Sequence, residues 1–538
     1  MKYSLPRFCW FVCLISFGPS LLASGCAGPG PGLFPVAPQD QQHLPDGRVD
    51  RCFDTDRNGR IDYVERQAAD GVVVLLRFDA DEDGKFELEA PPPSLVSGDV
   101  RHLIIILDSI PYGMVRDLWN HGRFRHFHPP SRVISPFPVM TDMCIAEFFG
   151  VSPTPAVESQ YYDGRRLNTG YGTYAREENS QHWLDKTDYH LAFATHSIAY
   201  FRPDAWFDHE LRRIQELFIK YDENPFIAYA VGTSGLGAQL GRDGHLTALV
   251  RLDRFCQWII HRMKGRVHIT LLSDHGHNMM SSRWIDLTGI LRRCGYRVRR
   301  RLERPGDVVV PEFGIVTCAA VHTAEPAAVA SDLSGVEGVD LAAYRDENGD
   351  VIVVGRNGRA RIWRRGDRYR YQPVHGDPLR LVPIRHELEQ RGEIDGDGFV
   401  DDGALFEATT EHEYPDVVHR LWRAFHGLIQ HTPDVLLSIE DGYHCGSKFM
   451  TELISLRAAH GNLNTLGSSG FVMSTAGRVD PVIRMEDLGG ALRALGVRIS
   501  VASPLVGDVV IRGAPPLVGR GRDRTRARAP VGGGFPAR

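Results

Sequence analysis

A metal site is predicted where two apolar strands end in acidic and imidazole side chains. Ser273, Asp274 and His275 directly follow the apolar run Val267–Leu272, and Asp108 directly follows the run His102–Leu107. In open α/β folds, sites form at the carboxyl ends of the strands. Carboxylates and an imidazole at one such edge are ligands that suit zinc or manganese. The residue types therefore predict a divalent metal at Asp108, Asp274 and His275.

Two further residues add a nucleophile and a late ligand to this set. Thr141 ends the segment Phe137–Thr141 and opens a predicted helix, and His460 precedes a polar stretch near the end of the chain. A threonine hydroxyl attacks phosphorus usefully when a metal lowers its pKa, and the same cation neutralises charge on the transferring group. The predicted metal residues are Asp108, Thr141, Asp274, His275 and His460, with Thr141 as the catalytic nucleophile.

The elements that must position these residues alternate along the chain. Apolar strands are predicted at 103–107, 226–231 and 267–272, and helices at 206–220, 246–264 and 415–426. Alternation of this kind predicts an α/β domain over residues 98–510, with a mostly parallel sheet flanked by helices. Short strands separated by Asn-Gly or Gly-Asp turns at 346–381 predict a small β-rich insertion.

These motifs resemble the alkaline phosphatase superfamily, and within it the type I phosphodiesterase/nucleotide pyrophosphatase branch. The resemblance covers roughly residues 100–475 and rests on the segments around Asp108 and Thr141, on Ser273–Gly276 and on His460 with Gly461. It implies that Thr141 takes the phosphoryl group covalently while Asp108, Asp274 and His275 hold one divalent metal. The implied activity is hydrolysis of a phosphate-ester small molecule, as a phosphodiesterase or phosphatase.

Three positions depart from the family pattern. Ser234 and Ala238 stand where the family has the Asp and His of its second zinc site, and Cys144 stands where it has an Asn that binds phosphate. The site could therefore use one metal, as the resembling lipoteichoic acid synthases do. It could instead recruit Asp243 and His245 as second-metal ligands. The third hypothesis is a catalytically inactive, calcium-binding exported surface protein on the same fold.

Two acidic segments near the N-terminus fit the calcium loop of an EF-hand. The first, 54–65, places oxygen-bearing side chains at positions 1, 3, 5, 9 and 12, and Gly59 at the sharp turn. The second, 79–90, repeats the first half but ends in Ala90, so it is expected to bind more weakly. Together they predict a small helical EF-hand domain at 48–92. The predicted calcium-binding residues are Asp54, Asp56, Asn58, Arg60, Asp62 and Glu65 in the first loop, and Asp79, Asp81, Asp83, Lys85 and Glu87 in the second.

The two ends of the chain predict export and a flexible tail. A charged start, a short apolar stretch and small residues make 1–26 a signal peptide. Its end is similar to a bacterial lipobox, which implies a lipid anchor at Cys26 in the cell envelope. A Gly/Pro-rich linker is expected at 27–47 and a disordered basic tail at 511–538.

Composition excludes one class of partner. The 538-residue chain is 43% hydrophobic and 24% charged, as globular proteins are. Its net charge of −5 offers no electrostatic footprint for nucleic acid. The cysteines after Cys26 contain no Cys-x-x-Cys pair, which excludes a zinc knuckle.

Overall fold

The structure is a computed structural model that describes residues 30–98, 100–157, 160–169, 173, 182–192, 195–196, 200, 202–312 and 314–499. The predicted signal peptide with Cys26 and the basic tail at 511–538 lie outside the described residues and stay predictions. Among the described helices, none is both long and apolar enough to cross a bilayer.

Twenty-five strands and thirteen α-helices are described, together with short 3-10 turns at Pro93–Leu95 and Leu184–Lys186. The strands are Asp40–His43 (β1), Val49–Phe53 (β2), Tyr63–Gln67 (β3), Val73–Phe78 (β4), Leu88–Ala90 (β5), Arg101–Leu107 (β6), Ser131–Ile134 (β7), Tyr161–Tyr162 (β8), Leu167–Asn168 (β9), Phe226–Ala230 (β10), Val267–Ser273 (β11), Arg283–Trp284 (β12), Arg297–Val298 (β13), Asp307–Val309 (β14), Ile315–Val316 (β15), Cys318–Thr323 (β16), Val339–Arg345 (β17), Val351–Gly355 (β18), Gly358–Arg365 (β19), Arg368–Gly376 (β20), Val400–Asp401 (β21), Val435–Ile439 (β22), Tyr443–Gly446 (β23), Ser469–Ser474 (β24) and Val482–Arg484 (β25). The helices are Tyr112–Asn120 (α1), Thr141–Phe149 (α2), Pro203–Lys220 (α3), Gly232–Leu240 (α4), Arg242–Arg262 (α5), Leu287–Arg293 (α6), Pro326–Ser334 (α7), Val382–Gln390 (α8), Asp402–Thr409 (α9), Val417–Phe425 (α10), Lys448–Leu453 (α11), Thr465–Ser468 (α12) and Met485–Ala494 (α13).

The central sheet carries the candidate site. Its six strands run in the order β10-β6-β11-β24-β7-β25. The pairs β10–β6, β6–β11 and β7–β25 are parallel, and only β24 runs against its neighbours. All of β10 and all but the first residue of β6 are buried, as expected for strands covered on both faces. The predicted α/β class with a mostly parallel sheet flanked by helices is confirmed.

A second sheet of nine strands is almost wholly antiparallel, in the order β13-β14-β16-β22-β17-β18-β19-β20-β21. Its β18, β19 and β20 form an antiparallel meander over 351–376, where the sequence predicts the β-rich insertion. This meander continues from β17, so it extends the second sheet. Two smaller groups of strands, β12-β23-β15 and β8-β9, complete the described sheets.

The predicted helical EF-hand domain is wrong, because residues 40–90 form a five-stranded antiparallel sheet, β1 to β5. The first acidic loop joins β2 to β3, and the second joins β4 to β5. The flanking segments explain the difference, since Val49–Phe53 and Val73–Phe78 are rich in the β-branched and aromatic residues that favour strands. The acidic loop pattern alone does not require helices around it.

The predicted linker at 27–47 is also corrected within its described part. Phe34 is 1% exposed and packs edge-on against Tyr63, with ring centroids 5.5 Å apart. Gly32 exchanges two hydrogen bonds with the Gln215 side chain of α3. Residues of the N-terminal sheet share one hydrophobic core with β6, β11, α3 and α5. The N-terminal sheet is therefore part of the main body.

Candidate metal centre

Strand register brings the two predicted aspartates together. In the parallel pair β6–β11, Leu107 lies opposite Ser273, so the next residues, Asp108 and Asp274, leave the sheet side by side. The Asp274 backbone N–H donates to the Leu107 carbonyl at 3.3 Å. Both aspartates are buried, Asp108 at 4% exposed and Asp274 at 0%. The carboxyl edge of the sheet thus places two carboxylates in one buried space, as predicted.

Thr141 reaches the same space from the first turn of α2. It is the first residue of that helix, after an extended Met140, and its Oγ1 lies 3.4 Å from His275 Nε2. Unlike the two aspartates, Thr141 is only partly buried. The start of a helix carries exposed N–H groups and a partial positive charge, which favour an anionic group beside Thr141.

His275 turns an unprotonated nitrogen toward Asp274. Its Nδ1 lies 3.1 Å from the Gly276 carbonyl oxygen, and since a carbonyl only accepts, Nδ1 carries the hydrogen. Burial lowers the pKa of His275, so the ring is neutral near pH 7 and Nε2 keeps its lone pair. Nε2 faces Asp274 Oδ2 at 3.3 Å, and this buried oxygen has no hydrogen-bond partner. When Asp274 is ionised, two acceptor atoms therefore point at each other.

These residues fit a divalent cation. Asp108, Asp274 and His275 each place a ligand atom within 4.8 Å of the others. Ligand distances of about 2.0–2.2 Å put atoms roughly 3.4 Å apart around a tetrahedral zinc, close to the 3.3 Å between His275 Nε2 and Asp274 Oδ2. Burial and the Asp108 carboxylate raise the pKa of Asp274 well above its ordinary value, which is the situation that a bound cation relieves.

Two hydroxyl groups that the sequence analysis did not single out hold Asp108 in place. Ser109 donates to Asp108 Oδ1, and Tyr229 donates to Oδ2 at 2.7 Å. Tyr229 lies on β10, the strand beside β6. Hydrogen bonds of this kind orient a metal ligand and tune its basicity. The position of Tyr229 near the end of a predicted neighbouring strand is the sequence signal that could have identified it.

His460 lies beside the centre without joining the group of three. Its ring stacks on that of His275, with centroids 4.0 Å apart and planes at 24°. Its Nδ1 faces the Val139 carbonyl oxygen at 2.8 Å, and so carries the hydrogen. Burial lowers the pKa of His460 to about 3. A neutral His460 supports the His275 ring, and its role as a ligand stays a prediction.

The residues at the position of the family's second zinc site match neither the family's ligands nor the hypothesis that Asp243 and His245 bind a second metal. Ser234 joins a hydroxyl network with Tyr200 at 3.0 Å and Ser109 at 3.3 Å. Asp243 is exposed on α5, so the hypothesis that Asp243 and His245 together hold a second metal is wrong. The cause is helical geometry, because residues two apart point to different faces of a helix.

His245, by contrast, is buried at the centre's edge. Its Nε2 lies 3.1 Å from Nδ1 of His277, which is also buried. A Cβ at Gly237 would come within 2.1 Å of His245 Nε2, so this glycine makes room for the pair. Burial lowers the pKa of His245 to about 3. The pair is an uncharged contact between α5 and the segment after β11.

Two side chains that the sequence comparison with the family pattern and the calcium-loop pattern point out, Cys144 and Glu65, are buried. Cys144 is fully buried, and burial raises the pKa of its thiol well above the ordinary value. Glu65, predicted as a calcium ligand, is 0% exposed and binds Arg125 at 2.5 Å and His126 at 2.9 Å. The Glu65 prediction is wrong because β3 continues through this position and turns the side chain into the interior.

Known proteins resemble the chain in fold. No protein-family model and no curated protein sequence matches it. Human ectonucleotide pyrophosphatase/phosphodiesterase 5 is 12% identical with a TM-score of 0.43, over 76% of this chain and 96% of that one. An inactive form of the murine protein in complex with AMP is 12% identical with a TM-score of 0.41, over 75% and 96%. These scores describe a partial likeness of fold and identify no activity.

Proposed function

We propose that the chain is a metal-dependent phosphoric ester hydrolase in which Thr141 is the nucleophile. The observation that carries this proposal is the convergence of Asp108, Asp274 and His275, with Thr141 Oγ1 3.4 Å from His275 Nε2. A hydroxyl beside two carboxylates and a neutral imidazole suits phosphoryl transfer through a covalent intermediate. The substrate class is a phosphate-ester small molecule.

The positions of the residues in the centre suggest a separate role for each. Asp108, Asp274 and His275 would hold the cation, zinc or manganese by donor type. When bound, it would lower the pKa of the Thr141 hydroxyl and neutralise charge on the phosphoryl group. Thr141 stands at the partly open side, where a substrate phosphate can approach it. The N-terminus of α2 then favours the negative charge of that phosphate.

A single cation is the arrangement that the contacts favour. The hydroxyls of Tyr200, Ser234 and Ser109 are bonded in series beside Asp108. None of these groups supplies the carboxylate and imidazole that the family's second zinc site has. The chain therefore offers a complete donor set for one ion, as the one-metal hypothesis requires.

The same network also favours the rival function. A protein that does not catalyse hydrolysis does not need the ligands of a second metal. Such a protein could therefore have Ser234 and Ala238 at these positions too. This rival is a catalytically inactive exported surface protein that binds calcium at its N-terminal sheet. The two functions differ in whether Thr141 supports turnover.

Hydrolysis of bis-p-nitrophenyl phosphate and p-nitrophenyl phosphate by metal-stripped protein tests the proposal, with Zn²⁺, Mn²⁺, Mg²⁺ or Ca²⁺ added back. We expect metal-dependent turnover that falls by more than about 10³-fold in Thr141→Ala and is partly kept in Thr141→Ser. Thr288→Ala, in α6, is the matched control and keeps wild-type activity. Bound metal measured by elemental analysis should be one ion per chain at this centre. If neither wild type nor Thr141→Ala hydrolyses either substrate with any of the metals, the result supports the hypothesis of a catalytically inactive protein.

A further inference from the structure

Two acidic loops occupy equivalent turns of the N-terminal sheet. The first acidic loop, 54–62, joins β2 to β3, and the second acidic loop, 79–87, joins β4 to β5. Each has a glycine at its sixth position with a left-handed backbone, Gly59 at φ 93° and Gly84 at φ 90°. The loops touch, because Asn58 Nδ2 donates to Glu82 Oε2 at 2.6 Å. Their sequences are alike, but their carboxylates are arranged differently.

The second acidic loop gathers four carboxylates around one point. Asp79, Asp81, Asp83 and Glu87 each place an oxygen within 4.8 Å of the others. A calcium ion binds oxygens at about 2.3–2.6 Å, which puts ligands on opposite sides of the ion about 4.8 Å apart. The four oxygens therefore fit inside one calcium coordination sphere. One cation, Lys85, contacts the group, with Nζ 2.8 Å from Asp83 Oδ2.

One residue of this group, Asp79, has a buried oxygen without a hydrogen-bond partner, which favours a cation at this position. Asp79 is 6% exposed, and its Oδ1 has no hydrogen-bond partner. Its other oxygen, Oδ2, accepts from the Gly84 backbone N–H at 2.9 Å. Burying a carboxylate oxygen without a partner is costly, and a bound cation removes that cost. The other three carboxylates are exposed and can supply the remaining charge.

The first acidic loop lacks both features. Asp54 accepts from the backbone N–H groups of Arg57, Asn58 and Gly59. Asp62 accepts from the backbone N–H of Thr55 at 2.7 Å and from the Thr55 hydroxyl. Among the described residues, this loop forms no acidic group of the kind found at the second. Carboxylates hold the turn in both loops, since Glu87 accepts from the Ala80 backbone N–H at 2.9 Å as Asp62 does from Thr55. The loops differ in the group of four carboxylates and in the buried, unpartnered oxygen of Asp79.

We propose that the second acidic loop binds one calcium ion through Asp79, Asp81, Asp83 and Glu87, and that the first acidic loop does not bind at the same concentration. Four hard oxygen ligands favour calcium, whereas zinc prefers nitrogen and sulfur, and magnesium keeps its waters. This reverses the ranking that the twelve-residue pattern predicts. The site ends at its ninth position, Glu87, because β5 begins at the next residue. It is independent of the hydrolase proposal.

Calcium bound at the second acidic loop would stabilise the packing of the N-terminal sheet on the rest of the protein. Asp79 follows Phe78, which is 0% exposed and lies 5.0 Å from the Tyr63 ring and 5.6 Å from the His261 ring of α5. An ion that fixes Asp79 therefore restrains the end of β4, whose last side chain is in the shared core. Binding to the folded state alone raises the free energy of unfolding.

Calorimetric titration of the full chain with Ca²⁺, and separately with Mg²⁺, tests the proposal. An Asp274→Asn background removes a ligand of the buried metal centre, so that centre is not counted. We expect one calcium site with weak affinity of roughly 10⁻⁴–10⁻³ M, the range of extracellular modules. Asp81→Asn and Glu87→Gln, both exposed, should weaken binding by about tenfold or more.

The matched control is Asp56→Asn, the same position in the first acidic loop. It should leave calcium affinity within about twofold of the parent. Melting curves in chelator show that each variant is folded, and added Ca²⁺ should raise the melting temperature of the parent but not of Asp81→Asn. The proposal is overturned if the parent binds no calcium up to about 10 mM, or if Asp56→Asn weakens binding as much as Asp81→Asn does.

Discussion

The buried metal centre and the second acidic loop both gather carboxylates, yet they assemble them by different means. Asp108 and Asp274 come from strands far apart in the sequence and meet because β6 and β11 pair in register. Asp79 and Glu87 belong to one hairpin connection. The three metal-ligand residues of the centre are buried and include an imidazole, whereas three of the four loop carboxylates are exposed.

This contrast indicates that the buried centre is suited to catalysis and the second acidic loop to stabilising the fold. Burial strengthens electrostatic interactions, excludes water and shifts pKa values, which suits a reaction centre. An exposed loop of oxygen ligands offers weaker, reversible binding of a hard ion, which suits stabilisation. The two regions should therefore respond to substitutions in separable ways.

The largest difference is expected from neutralising one carboxylate in each region. Asp274→Asn removes a buried ligand and should reduce metal affinity and hydrolysis by more than about 10²-fold. Asp81→Asn in the second acidic loop should leave hydrolysis at saturating metal unchanged. Activity of both variants with Zn²⁺ or Mn²⁺ measures this. Comparable activity losses in the two variants would contradict the separation of the regions.

Glu65 gives a second test of this comparison. The twelve-residue calcium pattern at 54–65 predicts Glu65 as a ligand, but its side chain is buried in the core. Glu65→Gln breaks the buried contacts with Arg125 and His126 and should destabilise the protein by about 3 kcal/mol. Calcium affinity should not change. Denaturant unfolding and calorimetry measure the two effects, with Glu87→Gln as the matched control that shows the opposite pattern.

The Glu65 contribution should also depend on pH. Burial alone would raise the pKa of Glu65, but Arg125 and His126 outweigh it and hold the pKa well below its ordinary value of 4.5. Because the folded pKa is depressed, the stabilisation is present above about pH 4.5 and is lost as the pH falls below it. The stability gap between wild type and Glu65→Gln should therefore narrow in acid. A gap that stays constant down to pH 3 would contradict this assignment.

The smallest effect tests the hydroxyl that orients Asp108. Tyr229→Phe removes the 2.7 Å hydrogen bond to Oδ2 and should weaken metal binding at the buried centre by about tenfold. Tyr200→Phe is the matched control, since that hydroxyl contacts Ser234. Metal titration of both variants decides the question. Equal affinities for Tyr229→Phe and wild type would show that Tyr229 does not support the ligand.

Much of the centre is predictable because its residues stand at the ends of strongly apolar strands. The sheet edge at Asp108 and Asp274 follows from strand pattern and residue type. Tyr229 was missed because a tyrosine inside a strand is ordinarily a packing residue. The Asp243 hypothesis failed because sequence proximity to His245 does not place both side chains on one face of α5.

The acidic segments show the opposite case. Their oxygen-bearing positions and glycines are visible in the sequence, but the flanking structure is not part of that pattern. The calcium-loop pattern predicts helices on both sides of each loop. The flanking residues favour strands, so these segments form a β-sheet instead. Glu65 then continued β3 and entered the core instead of facing an ion.

The sequence by itself determined the residue types of both sites and the strands that lead to them, because hydrophobic period and turn residues act locally. Only the tertiary structure decided which carboxylates share a space, because register between distant strands sets that distance. It also decided that Asp79 is buried with an unpartnered oxygen while Glu65 is paired with Arg125. Charge pairing and burial depend on what packs against a residue, and sequence spacing does not contain that information.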